Sequence, residues 1–200
     1  MASNLPKLGE AVQTRIEPST RKWAKPMSDL PEALDAIFGA HMDAELSGDL
    51  EATMATMSPT PHLVNIPTMV GGGDAAGVRN FYTRRLIGQF FPPDVEFTTV
   101  SRTYSSERLI DELVISFTHT HTMDWMLPGV EPTGKRVEVV FVVIVGIDGD
   151  TVEYEHIYWD QANVLVQIGL LDPTNLPVVG VGAARKLLDP TIPDPFFGES

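Results

Sequence analysis

The sequence contains no cysteine. Disulfide scaffolds, thiolate metal sites and cysteine nucleophiles are excluded together. Basic residues are scarce too: 14 Lys and Arg stand against 27 Asp and Glu, a formal net charge of −13. Binding a phosphate backbone needs clustered Lys and Arg that release counterions, so no nucleic-acid partner is expected. The basic pairs Arg84-Arg85 and Lys135-Arg136 read as solvated surface or as ion-pair partners. Long apolar runs are also missing. The longest, Val137 to Ile147, is interrupted by Glu138 and falls short of the ~20 residues that a membrane-spanning helix needs. Lys7, Glu10, Arg15 and Glu17 leave no room for the apolar centre of a signal peptide. A cytoplasmic protein with no membrane partner is therefore expected.

What is present suits one domain with extensions: a chain of 200 residues, 43% of them hydrophobic, can bury a sizeable core. Residues 1–28 mix charges with Pro6, Pro18 and Pro26 and read as an N-terminal arm. Residues 29–171 carry the periodic signals of a folded domain. Residues 172–200, with Pro173, Pro177, Pro190, Pro193 and Pro195, read as a Pro-rich C-terminal arm.

Within the domain, helical signals come first. Asp29 and Glu32 form a possible capping box, and Leu34, Ile37, Phe38, His41 and Met42 then share one helical face. Gly48 ends that helix, Asp49 can cap a shorter one carrying Leu50, Met54 and Met57, and Pro59 stops it. His62 to Val70 is a short apolar strand candidate, and Gly71 to Gly73 read as a turn into a third helix capped by Asp74. That glycine run has neither the P-loop nor the dinucleotide spacing. The third helix, with Val78, Phe81, Tyr82, Arg85 and Leu86 in phase, closes at Pro92-Pro93. Period two then takes over in Val95 to Thr99, Leu109 to Met123, Val137 to Ile147 and, after Asp148-Gly149, Val152 to Asp160. Helices followed by a meandering, mostly antiparallel sheet predict an α+β fold. Val139 to Val145 is apolar on both faces; the second face needs a cover, and a homodimer is the simplest one.

The strand ending in His119 and His121 carries the first chemical signal. Both histidines continue the face of Leu113, Ile115 and Phe117. They are either hydrogen-bonded core residues or acid–base groups whose pKa burial can tune. In the last strand Tyr154, His156, Tyr158 and Asp160 share one face, and Glu153, Glu155, Ile157 and Trp159 the other. His156 with Tyr158 and Asp160 could form an imidazole–phenol or imidazole–carboxylate pair. Alternation alone does not say which side is inside. His119, His121 and His156 are metal-ligand types, but no third ligand stands at a diagnostic spacing, so no metal is expected. Serine residues lack a nucleophile-elbow context.

Two segments carry a family likeness. Thr118-His119-Thr120, Leu127-Pro128-Gly129 and Pro132-Thr133-Gly134-Lys135-Arg136-Val137 resemble the strand, loop and strand of SnoaL-like polyketide cyclases. Asp148-Gly149, His156-Ile157-Tyr158-Trp159-Asp160-Gln161 and Gln167-Ile168-Gly169-Leu170-Leu171 resemble that family's closing strand and C-terminal signature. The resemblance implies a cone of the nuclear-transport-factor-2-like kind: three helices on a curved, mostly antiparallel sheet, with a pocket, often dimeric. It implies cofactor-free acid–base chemistry of the cyclase, isomerase or dehydratase type on a small aromatic or polyketide-like carbonyl compound. His119 matches the family's Thr-His position. Where the family usually has Trp-Asp, this chain has His156-Ile157, so proton transfer falls to His119, His121, His156 or Asp160, or no catalysis occurs. His121, Phe117, Tyr158, Trp125, Trp159 and Asp124 are the expected substrate contacts. A non-catalytic ligand-binding or dimerisation module of the same fold is the alternative.

Overall fold

A computed structural model describes residues 30–196. The N-terminal arm and Asp29 of the capping box lie outside the described residues. Helix α1 (Leu30–Ser47) buries Leu34, Phe38, His41 and Glu45 along one face, a spacing that returns to the same side of a 3.6-residue helix. Gly48, in the left-handed region at φ 71, ends it as a side chain there could do only under strain. Asp49 then accepts from the Ala52 N–H at 3.0 Å and caps α2 (Leu50–Ala55).

The short second helix stops sooner than its pattern predicts. Met57 and Pro59 belong to β1 (Met57–Asn65), which turns back into β2 (Val70–Gly72), so the single strand expected over His62 to Val70 is a hairpin instead. Proline has no N–H for a ladder, and the pairing of β1 jumps from Met57 to His62, across Pro59 and Pro61. Gly71 and Gly72 are required by close approach. A Cβ on Gly71 would stand 2.0 Å from the Leu63 carbonyl oxygen, and one on Gly72 2.1 Å from the Val78 nitrogen.

Asp74 caps α3 (Ala75–Phe81) through the Gly77 N–H, and the helix continues as a π-helical turn over Tyr82–Leu86. Strands β3 (Glu96–Tyr104), β4 (Arg108–Thr118), β5 (Arg136–Asp148) and β6 (Thr151–Trp159) follow. The sheet order is β2-β1-β6-β5-β4-β3. Only the β1–β6 pair is parallel among its described pairings. β4 ends at Thr118 rather than at Met123. The chain beyond it folds into a packed loop, in which Met126 and Leu127 N–H groups both reach the Met123 carbonyl and Met123, Trp125, Met126 and Leu127 join the core.

Helix α4 (Gln161–Ile168) stands where β6 has ended: Gln167 bonds both the N–H and the C=O of Glu138, replacing a strand partner. The C-terminal segment contains α5 (Gly182–Leu188), anchored by Arg185 to Glu138 at 3.0 Å. The fold is α+β, with α1, α3 and the inner sheet face enclosing the core.

A carboxylate and imidazole cluster in an aromatic cavity

Between the helices and the inner sheet face lies a cavity of about 230 Å³. An apolar cavity of roughly 150 Å³ already takes up benzene, so this one has room for a somewhat larger, ring-bearing molecule. Phe90, Phe91, Phe97, Trp125 and Phe141 supply much of its wall. Trp125 is held by its indole N–H, which donates to the Phe90 carbonyl at 2.9 Å, and packs edge-on against Phe91 and Trp159. The cavity has a direction. On β3, Phe97 is 44% exposed, and at the other side Glu45 and Glu155 are 7% and 3% exposed. The β3 edge is therefore the mouth, and α1 with β1 and β6 forms the floor.

The floor is polar. Glu45 and Glu155 line it, and His41 lies between them, with Nε2 3.2 Å from Glu45 Oε1 and 3.4 Å from Glu155 Oε2. Tyr82 donates its hydroxyl to Glu45 Oε1 at 2.6 Å and also lies 3.3 Å from His41 Nε2. The π turn begins at Tyr82; such turns re-aim side chains and recur at functional sites. Thr56 gives its hydroxyl proton to the Thr53 carbonyl, so its oxygen accepts from His41 Nδ1 at 2.6 Å. Nδ1 thus carries a proton, and Nε2 is the nitrogen aimed at the carboxylates.

Opposing effects act on this histidine. Burial lowers its pKa, but the charges of Glu155 and Glu45 and their hydrogen bonds outweigh that and raise it to about 10. His41 is an imidazolium at neutral pH. Glu155 is pushed up by burial and by the charge of Glu45, against the pull of His41 and Tyr82. Burial first, then both carboxylates, hold the Tyr82 phenol protonated well above its ordinary range. His41, Glu45 and Glu155 also offer the donor types of a divalent-cation site, all within 4.8 Å of one another. An imidazolium has no lone pair to give, so a cation there must first displace a proton.

A second charged group stands nearer the mouth. Arg102 on β3 forks onto Asp111 of β4 and reaches Asp35 of α1 at 2.7 Å. Tyr104 donates to the same Asp35 at 2.8 Å. Both Arg102 and Asp111 line the cavity, and their charges are matched by each other.

Of the residues expected from the sequence, Trp125 lines the cavity and the other eight do not. His119 is wholly buried beyond the end of β4, its Nδ1 facing Thr133, while its Nε2 and that of His121 have no partner. Burial and the neighbouring His121 lower the His119 pKa. Phe117 and Trp159 are core residues that pack on Phe91 and on Phe141. His156 lies on the outer sheet face with Tyr154 and half-exposed Tyr158, its Nε2 3.2 Å from that of His62. Asp160 caps α4 through the Asn163 N–H. Asp124 braces its own loop through the Gly129 N–H. The last strand therefore turns Glu155, Ile157 and Trp159 inward.

Glu45, Glu155 and Tyr82 were not singled out by sequence. A signal existed for two of them: Glu45 follows His41 by one helical turn on the same face, and Glu155 alternates with Ile157 and Trp159. A carboxylate continuing an apolar face is what marks them.

Comparison with solved structures gives the same architecture. A candidate SnoaL-like polyketide cyclase from Jannaschia sp. CCS1 superposes with a TM-score of 0.54 at 16% identity, over 76% of this chain and 100% of the other. AclR from Streptomyces galilaeus, a candidate hydroxylase, gives 0.53 at 21% identity over 79% and 97%. IdmH from Streptomyces antibioticus, a candidate polyketide cyclase, gives 0.50 at 20% identity over 68% and 97%. This chain has the fold of the SnoaL-like, nuclear-transport-factor-2-like proteins. The likeness read from its sequence motifs is shown at that level. No protein-family model and no curated protein matches the sequence. Among the described residues, no helix is long and apolar enough to cross a membrane.

Proposed function

We propose that this protein is a cofactor-free acid–base enzyme of the cyclase, isomerase or dehydratase type, acting on a small ring-bearing carbonyl compound. One observation carries the reading: two buried carboxylates and an imidazolium stand at the floor of an aromatic cavity. Burying an ion costs several kcal/mol even after relaxation. Apolar residues of similar size would fill the floor without that cost, so the cluster has a use beyond packing.

Glu155 is the proton-transfer group in this reading. Its raised pKa moves it toward working pH, where a base is both available and strong enough. His41 and Tyr82 both meet it at Oε2, which leaves Oε1 to meet a substrate C–H. Glu45, held by Tyr82 and His41 at one oxygen, completes a floor that can take up a proton and return it. His41 stabilises the ionised form of either carboxylate, and the apolar walls exclude water so that these charges act at full strength. His119, His156 and Asp160 would then act on stability. The alternative module readings differ in outcome: a binding module holds ligand without turnover, and a purely structural dimer takes no ligand. The half-buried outer face of Val140, Val142 and Ile144 supports a homodimer as its natural cover.

The test is turnover of ring-bearing ketones or hydroxyketones by wild type and Glu155→Gln, each with deuterium exchange at the carbon beside the carbonyl. Exchange in wild type and its loss in the variant support the reading. Exchange unchanged in Glu155→Gln removes Glu155 from the mechanism.

A further inference from the structure

One polar group on the cavity floor has no partner. Asn65, the last residue of β1, is wholly buried and lines the cavity. Its Nδ2 donates to the Val70 carbonyl at 3.1 Å across the β1–β2 hairpin. A carbonyl can only accept, so this bond fixes which end of the amide is nitrogen. Oδ1 is therefore turned the other way, and it accepts no hydrogen bond. Leaving a buried acceptor unmet costs on the order of 1–3 kcal/mol, and native proteins rarely tolerate it without a reason.

The neighbours of Asn65 say what could meet it. Leu63 pairs with Glu155 and Asn65 with Ile157 in the parallel β1–β6 register. Asn65 and Glu155 thus stand one step apart on the same inner face, side by side on the floor. Around them the wall is Phe81, Trp125, Phe141 and Ile157, none of which can donate a hydrogen bond into the cavity, since the Trp125 N–H is spent on Phe90. Arg102 and Thr99, the donors of the lining, stand on β3 at the mouth. At the floor the donor is left to what fills the cavity, water when it is empty and a substrate group when it is occupied.

We propose that Asn65 is a specificity-determining residue whose Oδ1 accepts a hydrogen bond from a hydroxyl group of a neutral, ring-bearing substrate. This rests on the acid–base reading above for the identity of the site, and it narrows the substrate class. The compound carries an O–H, phenolic or enolic, beside the carbon that Glu155 addresses. Methyl ethers and deoxy analogues of the same shape leave Oδ1 unmet and are rejected, as sites built around a substrate hydroxyl reject compounds that lack it. A carboxylated substrate is disfavoured, because a third negative charge would face Glu45 and Glu155.

The probes are 2-naphthol, 2-methoxynaphthalene and naphthalene, titrated against the full chain and read by native mass spectrometry and by quenching of tryptophan fluorescence. Wild type should bind 2-naphthol at least about tenfold more tightly than the other two, the ratio expected of one well-made hydrogen bond in a dry site. Asn65→Leu, of nearly the same shape, should bind all three within about threefold of one another. Its melting temperature and circular dichroism, unchanged or raised, would show that the fold is intact. Glu155→Gln should keep the wild-type preference. If the preference survives in Asn65→Leu but disappears in Glu155→Gln, the hydroxyl is read by Glu155 and the proposal is overturned while the acid–base reading stands. If wild type binds the three probes equally, Asn65 sets no specificity. If none of them binds, the hydroxyl preference assigned to Asn65 is overturned, while the acid–base reading is decided separately by the ketone turnover and exchange test.

Discussion

Nε2 of His41 on α1 stands 3.4 Å from Oε2 of Glu155 on β6, and this contact ties the helical layer to the sheet at the floor of the cavity. Three properties follow from one geometry. The carboxylates hold the imidazole charged, the imidazolium offsets the cost of burying the carboxylates, and each carboxylate keeps one oxygen outside these contacts. Removing His41 leaves two buried carboxylates without their cation, which is costlier than never having had the cluster, whereas removing Glu155 leaves His41 paired with Glu45.

That asymmetry makes stability depend on pH in a definite direction. The folded pKa of His41 is raised from 6.5 to about 10. Its stabilising contribution is fully present below pH 6.5 and is lost as pH rises through about 10. Glu155, also raised, acts with the same sign at lower pH. The melting temperature of wild type should therefore fall from pH 6.5 to 10, by an amount equivalent to a few kcal/mol. Thermal melts of His41→Gln should be lower at neutral pH and flatter across that window. A wild-type profile that is level from pH 6.5 to 10 would refute the imidazolium.

Catalysis should separate the floor from the histidines outside it. Glu155→Gln should lower kcat by about 10²–10⁴, the usual worth of a positioned acid or base, with KM changed little. His156→Asn and His119→Asn should retain kcat within about threefold, because neither side chain lines the cavity. Steady-state kinetics on one substrate decides it. A collapse of kcat in His156→Asn alone would move the chemistry to the outer sheet face.

The pH profile of kcat/KM gives an independent reading of the same group. If Glu155 is the base, the acid limb should lie above the ordinary glutamate value of 4.5, because burial and Glu45 favour its protonated form. Glu45→Gln removes the like charge and should shift that limb toward lower pH. An unmoved limb would assign it to another group.

Much of the fold was legible in the sequence because its signals are local. The Leu34, Phe38 and His41 spacing gave α1, Asp49 and Asp74 gave two helix starts, and period two gave β4 to β6. The hairpin at Asn65 to Val70 was not legible, since the parallel pairing of β1 with β6 joins residues far apart in the chain. The end of β4 was missed for a related reason: His119 and His121 keep the alternation of the strand, but the loop after it is set by packing of Trp125 and Met126. The site was half legible. Its His41 was visible as a histidine on an apolar helical face, where a buried polar group needs a partner. What satisfies it is Glu155, and only the three-dimensional pairing brings that carboxylate to α1.

The glycines at the β2–α3 junction offer a stability test that replaces none of the floor side chains. Gly72 lies against the first turns of α3, and a Cβ there would come within 2.2 Å of the Gly77 carbonyl carbon and 2.1 Å of the Val78 nitrogen. Both are backbone atoms, so no side-chain rotation relieves the clash, and α3 must move as a body. α3 carries Phe81 at the cavity wall and leads into Tyr82. Gly72→Ala should therefore destabilise by more than about 3 kcal/mol, at the severe end for a single substitution, and loosen the Tyr82–Glu45 bond in whatever protein remains folded. Gly73→Ala is the matched control, since nothing lies within 4 Å of a Cβ there; it should cost less than about 1 kcal/mol. Urea unfolding of the two variants measures the difference. Equal midpoints would mean that the junction is not packed as tightly as its backbone distances require.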